Sequence, residues 1–172
     1  GVMLLVELPY SNRLTKLFKI CVLMLIFCRV IFVCQQFKRV RKQNDKGIHH
    51  VGLTVSDLEA SAKFFIEQLG WSEVKRNPDY PAIFVSDGHI MLTLWASKAE
   101  AAVPFDRKTN VGLHHLALLV ESEGQLDELR DQFVKSGVEI EFGPELVKSG
   151  PAKHLMCYDP SGIRVEFFWA GS

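Results

Sequence analysis

Two regions of the chain alternate between apolar and polar residues in the same order. Each region predicts a strand, a helix and three further strands. In the first region the strand spans 48–55, and the helix after it repeats apolar residues every three or four positions until Gly70. Its three further strands are predicted at 71–76, 82–86 and 89–95.

The second region repeats this order 65 residues further along the chain. GIHHVGLTV at 47–55 has its counterpart in GLHHLALLV at 112–120, and a second predicted helix ends at Gly137. The strands after that helix are predicted at 138–142, 153–158 and 163–169. A unit of this kind cannot bury its apolar face alone, so we expect the two units to share one core.

Both helices are preceded by the spacing of a capping box. Ser56 stands three residues before Glu59, and Ser122 stands three residues before Gln125. In this motif the serine side chain accepts a hydrogen bond from the backbone of the first turn. The spacing therefore predicts that Ser56 and Ser122 are the two N-caps.

The first 46 residues differ from the rest of the chain. Residues 20–34 are apolar except for Arg29, and Lys38, Arg39, Arg41 and Lys42 follow. The run is shorter than the ~20 apolar residues of a spanning helix, and no small-residue cleavage site of a signal peptide follows it. We interpret it as an apolar helical extension, either packed on the domain or adventitious. Membrane contact through residues 14–42 is left open.

Composition and charge narrow the class of protein. The chain has 172 residues, 48% of them hydrophobic, which is enough for one domain or two small modules with a common core. Its 20 basic and 20 acidic residues balance, and no basic stripe is present, so we expect no nucleic-acid partner. Outside the N-terminal stretch the only cysteine is Cys157, which favours a reducing compartment, the cytoplasm.

The alternation also predicts the direction of one histidine in each copy. Val51, Leu53 and Val55 share the face that should cover the first helix, so His50 points to the opposite face. By the same argument, His115 points away from the second helix. We therefore expect one histidine of each pair, His50 in the first and His115 in the second, to lie on one polar surface.

Glu166 lies in the middle of the last apolar strand, on the face opposite Val165 and Phe167. A buried carboxylate without a partner costs on the order of several kcal/mol, so it needs a cation, a metal ion or a protonated neighbour. Two histidines and one carboxylate on facing strands suit a divalent metal with open positions. An ion pair with Arg164 on the same face, or with a lysine, is the alternative.

Two motifs carry a resemblance to the vicinal oxygen chelate superfamily, which includes glyoxalase I, extradiol dioxygenases, fosfomycin-resistance thiol transferases and bleomycin-binding proteins. They are H-x-x-L-x-V-x-D, at His50, Leu53, Val55 and Asp57, and D-P-x-G-x-x-x-E, at Asp159, Pro160, Gly162 and Glu166. The resemblance covers residues 47–169. It implies an α+β fold in which two βαβββ modules form a curved eight-stranded sheet around a cup, and it implies a homodimer.

The repeated unit and the change in the chain after Lys46 predict the domain organisation. The ranges are an N-terminal extension at 1–46, a first module at 47–96, a linker at 97–111 and a second module at 112–169.

The resemblance also implies one divalent metal ion held by His50, His115 and Glu166, with Glu166 as the catalytic residue. Zn, Ni, Fe, Mn and Co are not distinguished. Glyoxalase I would have a fourth ligand where this chain offers Met91 or Thr93, neither of them a good ligand for a hard ion. Extradiol dioxygenases would have a tyrosine at the position of Met156.

The predicted function is that of a glyoxalase-like metal-dependent enzyme. It would bind a small substrate through neighbouring oxygens, with isomerase, lyase or thiol-transfer chemistry. Met91, Thr93, Trp95 and Arg164 are predicted to contact substrate, with core packing as the alternative for the first three, and His154 is expected to be exposed. The other candidate functions are a non-catalytic drug-binding dimer and an extradiol dioxygenase.

Overall fold

The structure, a computed structural model, describes residues 44–171 of the chain. The predictions for the N-terminal extension therefore fall almost wholly outside the described residues. Within residues 44–171 no helix is long and apolar enough to cross a membrane. The described residues from Ile48 onward belong to one compact unit.

The elements of this unit follow the order that the sequence predicts. The first set is β1 (His50–Val55), α1 (Leu58–Lys63), β2 (Ser72–Asn77), β3 (Ala82–Ser86) and β4 (Met91–Ala96). A π-helical turn, Phe64–Gln68, continues α1 directly. The second set is β5 (Leu116–Leu119), α2 (Glu123–Ser136), β6 (Ile140–Leu146), β7 (Lys153–Tyr158) and β8 (Arg164–Trp169). We call these sets the first and second modules.

Each module forms its own four-stranded mixed sheet. The strand orders are β1-β4-β3-β2 and β5-β8-β7-β6. The pairs β1–β4 and β5–β8 are parallel, and the other neighbours are antiparallel. In the described part of the chain β1 and β5 are therefore edge strands, and the predicted eight-stranded sheet does not form within one chain.

The two modules share one apolar core, as predicted. Leu53 and Val55 of β1 belong to the same buried cluster as Val165 of β8. Phe133 of α2 is fully buried, with its ring centroid 6.0 Å from that of Phe64 and 5.5 Å from that of Phe167. Burying a side chain of this size stabilises the fold by about 1.5–3 kcal/mol. Because the core covers one face of each sheet, the opposite face remains available for polar groups.

The helix termini agree with the sequence at three of four positions, one of which is Gly70, with a φ of 71° directly after Leu69 at the end of the first helical segment. Ser122 caps α2 by accepting a hydrogen bond from the Gln125 N–H at 3.3 Å, and Gly137 ends α2 with a φ of 74°. The expectation that Ser56 caps α1 is wrong by one residue. The carboxylate of Asp57 accepts from the Ala60 N–H at 2.9 Å, because aspartate is an equally good N-cap.

A buried polar link joins α1 to the turn between β7 and β8. The Ser61 hydroxyl donates to Asp159 Oδ2 at 2.7 Å, and Asp159 Oδ1 accepts from the backbone N–H groups of Ser161 and Ile163. Burial raises the pKa of Asp159 above its ordinary value. This link ties the first module to the turn that leads into β8, where Glu166 lies.

We expect Ser61→Ala to lower the free energy of unfolding by about 1–3 kcal/mol, because it removes one donor from a buried carboxylate. Urea unfolding at pH 7 measures the change. Ser72→Ala, on the exposed strand β2, is the matched control and should stay within about 0.5 kcal/mol of the parent. Equal effects of the two substitutions would contradict a stabilising role for the link.

Candidate functional site

Glu166 lies on an inner strand, so both neighbouring strands face it. In the ladder it stands opposite Ala117 of β5 and Met156 of β7. Its side chain projects from the face opposite the core and is 12% exposed. A carboxylate with so little water around it depends on partners from β5 and β7.

Two imidazoles supply those partners. His115, immediately before β5, places Nε2 3.1 Å from Glu166 Oε2. His154, on β7, places Nδ1 2.5 Å from Glu166 Oε1. Each carboxylate oxygen therefore faces one histidine. The expectation that His154 is exposed is wrong, since its side chain is only 17% exposed.

The alternative in which Arg164 neutralises Glu166 is also wrong. Arg164 instead forms a two-point pair with Glu141 of β6, from Nε to Oε2 at 2.7 Å and from Nη2 to Oε1 at 3.0 Å. The Tyr158 hydroxyl donates to the same Oε2 at 2.6 Å. The Arg164 guanidinium, with smaller help from Tyr158, lowers the pKa of Glu141 to about 2.

This pKa predicts an acid-sensitive contribution to stability. The folded pKa of Glu141 lies below its unfolded value of 4.5, so the contribution is complete above that value and declines as pH falls towards 2. We expect Glu141→Gln to cost about 2–3 kcal/mol at pH 6 and about half as much at pH 3.

Urea unfolding of both proteins between pH 6 and pH 3 tests this. The exposed Glu128→Gln should follow the parent at every pH. A difference between Glu141→Gln and the parent that does not change with pH would contradict the role of the ionised pair.

His50 lies on the exposed face of β1, as its alternation predicts, but away from the other two expected ligands. Its Nδ1 is 2.9 Å from Nδ1 of His49. Among residues 44–171 it makes no hydrogen bond or ion pair with His115 or Glu166. In this same range no three His, Cys, Asp or Glu side chains converge in a group that could hold a metal ion. The described chain brings together two members of the predicted set.

The three side chains of β4 that are predicted to contact substrate, Met91, Thr93 and Trp95, lie on one face of the first sheet. Trp95 Nε1 donates to Thr93 Oγ1 at 2.9 Å, and Thr93 is buried. A Cβ on Gly52 would lie 3.3 Å from that hydroxyl, so glycine leaves the space that Thr93 and Trp95 fill. Met91 stands beside His50 in the β1–β4 ladder. These side chains lie on the His50 face of the first sheet.

A cavity of about 620 Å³ lies beside Arg164, between β1 and the linker. Gly52 and Phe105 contribute to its apolar part, and Tyr158 and Arg164 to its polar part. Arg107 and Asp106 also line it, and Arg107 contacts Glu141 at 3.3 Å, so two carboxylates balance the two guanidinium groups. The cavity thus has the size and mixed lining of a small-molecule site.

Sequence reasoning missed Glu141, and it treated His154 as a weaker candidate, a proton carrier or an exposed residue, without its contact with Glu166. Both lie on strands of the second sheet, and alternation places His154 on the same face as Met156. The signal that could have found His154 is the hairpin pairing of β7 with β8, because neighbouring strands with matched faces bring such side chains together.

Comparisons with known proteins agree with the fold and the motifs. The family model of the Glyoxalase/Bleomycin resistance protein/Dioxygenase superfamily matches residues 47–167. A solved structure of a glyoxylase/bleomycin resistance protein/dioxygenase domain from Frankia sp. EAN1pec is similar, with a TM-score of 0.64 and 29% identity. The similarity covers 73% of this chain and 98% of that one.

Two proteins of Bacillus subtilis (strain 168) are similar in sequence. Uncharacterized protein YqjT is 31% identical over 124 residues, which cover 69% of this chain and 95% of that protein. Catechol-2,3-dioxygenase is 30% identical over 124 residues, which cover 72% of this chain and 41% of that enzyme. The chain thus spans less than half the length of the dioxygenase.

Proposed function

Because the chain belongs to the Glyoxalase/Bleomycin resistance protein/Dioxygenase superfamily, we propose that it is a metal-dependent enzyme acting on a small molecule with two neighbouring oxygens. One observation carries the proposal. The Glu166 carboxylate is buried in an apolar strand and meets an imidazole at each oxygen. A buried carboxylate between two imidazoles is more typical of a cation-binding site than of a packed apolar core.

The ion would be held by His50, His115 and Glu166. His115 and Glu166 fit this role, because an imidazole nitrogen and a carboxylate oxygen lie 3.1 Å apart on one face of the second sheet. Both are donor types that Zn, Ni, Fe, Mn and Co accept. His50 belongs to the same set by its place on the matching strand of the first module. Within one chain, however, it does not contact His115 or Glu166.

A second copy of the chain would supply His50 to the site. His50 lies on β1 and His115 lies beside β5, and within residues 44–171 both strands are edges of their sheets. Pairing β1 of one copy with β5 of another would extend each sheet to eight strands and carry His50 towards the other copy's Glu166. Leu119, 77% exposed on β5, would then be covered. We therefore propose a homodimer with two shared sites.

The bound ion would supply a Lewis acid for the substrate oxygen that gains negative charge. The chain's own residues would bind and orient the rest of the substrate. Arg164 and Arg107 line the cavity and would offer guanidinium donors to an anionic or strongly polar group of the substrate. Met91 and Trp95 would face an apolar part of the substrate once the sheets are joined, and the buried Thr93 would hold the Trp95 indole through their hydrogen bond.

Isomerase, lyase and thiol-transfer reactions are the leading chemistry. A transferred thiol would have to come from a second substrate. Cys157, the cysteine of the described range, is buried, and burial raises the pKa of its thiol to about 12. A thiol with that pKa remains protonated at neutral pH and cannot act as the nucleophile.

Cleavage of a catechol is a second candidate, favoured by the similarity to the Bacillus catechol-2,3-dioxygenase. The side chain opposite Glu166 on β7 is Met156, however, and the Tyr158 hydroxyl is engaged by Glu141. Among the described residues Glu166 therefore has no phenol as a close partner, and we rank this reaction second.

Metal analysis of the purified chain tests the proposal. The full chain is loaded in turn with Zn, Ni, Fe, Mn and Co, dialysed, and analysed for bound metal per chain. We expect one ion per chain with at least one of these metals, and turnover of an α-hydroxycarbonyl compound by the loaded protein. Oxygen uptake with catechol and Fe would instead identify the second candidate. Absence of bound metal would favour a non-catalytic binding dimer.

A further inference from the structure

His154 occupies a position next to Glu166 that the proposed ligand set does not use. It projects from β7 on the same face as Glu166, and its Nδ1 is 2.5 Å from Oε1. The other carboxylate oxygen, Oε2, faces His115. The two oxygens of one carboxylate are thus divided between two histidines on opposite neighbouring strands.

The His154 ring is itself held in place on its far side. The Phe142 ring lies against it, with centroids 4.9 Å apart and an interplanar angle of 56°. Its second nitrogen, Nε2, faces Glu145 Oε1 at 3.9 Å. A ring confined in this way presents Nδ1 to Glu166 in a fixed direction.

Glu166 needs such a restraint because its terminal torsion has only broad preferences. The last torsion of a glutamate side chain is roughly two-fold and soft, so packing alone does not choose which oxygen faces β5. A hydrogen bond to one oxygen fixes the carboxylate plane and leaves the other oxygen for a ligand. Partners of this kind, behind the metal ligands, typically change metal affinity by about 10- to 100-fold when removed.

We propose that His154 is a positioning residue for the metal site, holding Glu166 Oε1 so that Oε2 is presented beside His115. This inference rests on the proposed function, since it assigns a role to His154 through the ligand Glu166. His154 acts without contacting the ion or the substrate. The site then extends over three adjacent strands, β5, β8 and β7.

Two substitutions separate this role from a general effect on folding. His154→Ala removes the hydrogen bond, whereas the amide nitrogen of His154→Asn can occupy nearly the position of Nδ1 and restore it. His89→Ala, in the exposed turn between β3 and β4, is the matched control. Affinity for the metal that the parent binds is measured by calorimetric titration of each full-length protein, and urea unfolding is recorded alongside.

We expect His154→Ala to weaken binding by about 10- to 100-fold and His154→Asn to recover most of that loss. His89→Ala should bind like the parent. With Co²⁺ as the probe, the visible absorption of His154→Ala should also shift, because a released carboxylate changes the coordination of the ion.

The outcomes distinguish this inference from the proposed function. A parent protein that binds no metal would overturn the proposed function, and this inference with it. A parent that binds metal, with His154→Ala binding equally well, would overturn this inference alone. A folded His154→Asn as weak as His154→Ala would also overturn it, because the restored donor would then have no effect.

Discussion

Glu166→Gln is expected to lower the affinity of the chain for its divalent metal ion by at least about 100-fold, more than the loss typical of a residue behind the ligands. Glutamine keeps the shape of the side chain but removes its negative charge and one acceptor oxygen. His115 and His154 would then face a neutral amide in place of a carboxylate.

Calorimetric titration with the metal that the parent binds measures this effect. The matched control is Glu128→Gln, on the exposed side of α2, which removes the same charge from the same module and should bind like the parent. Far-ultraviolet circular dichroism verifies that both variants are folded. Equal affinity of Glu166→Gln and the parent would show that Glu166 is not a ligand.

Mixing two inactive variants should restore metal binding if the site is shared between copies. Each of His50→Ala and Glu166→Gln alone damages both sites of a homodimer. A mixed dimer, however, has one site with both substitutions and one with neither. Random exchange makes half of the dimers mixed, so we expect about one quarter of the parent's sites to reappear, as two-fold symmetry requires.

The two proteins are unfolded, combined and refolded together for this measurement, and each refolded alone is the control. Bound metal and turnover are both recorded. Recovery would not occur if His50, His115 and Glu166 came from one chain. A mixture no better than its separate components, with mixed dimers verified by mass, would therefore overturn the shared site.

The sequence predicted the elements and their faces well, because alternation and helical spacing are local properties. Leu53 and Val55 are buried as expected, and Gly137 ends α2. The N-cap of α1 was misplaced by one residue because Ser56 and Asp57 are both good caps, and local pattern alone does not choose between them.

The partners of the site residues were harder to predict, because they depend on which strands are neighbours. Alternation places Arg164 and Glu166 on one face, but it does not show that β6 brings Glu141 to Arg164. Nor does it show that β7 lies beside β8 and brings His154 to Glu166. Whether β1 meets β5 within a chain or between chains is equally a property of strand order.

The link between Ser61 and Asp159 makes the internal duplication unequal. The residue equivalent to Ser61 in the second copy is Leu126, and both side chains are fully buried. One copy uses this helix position for a hydrogen bond to the other module, and its counterpart uses it for apolar contact. The two halves are therefore no longer interchangeable. A chimera carrying the second half twice would place a leucine where Ser61 donates to Asp159, and the buried carboxylate would lose that donor.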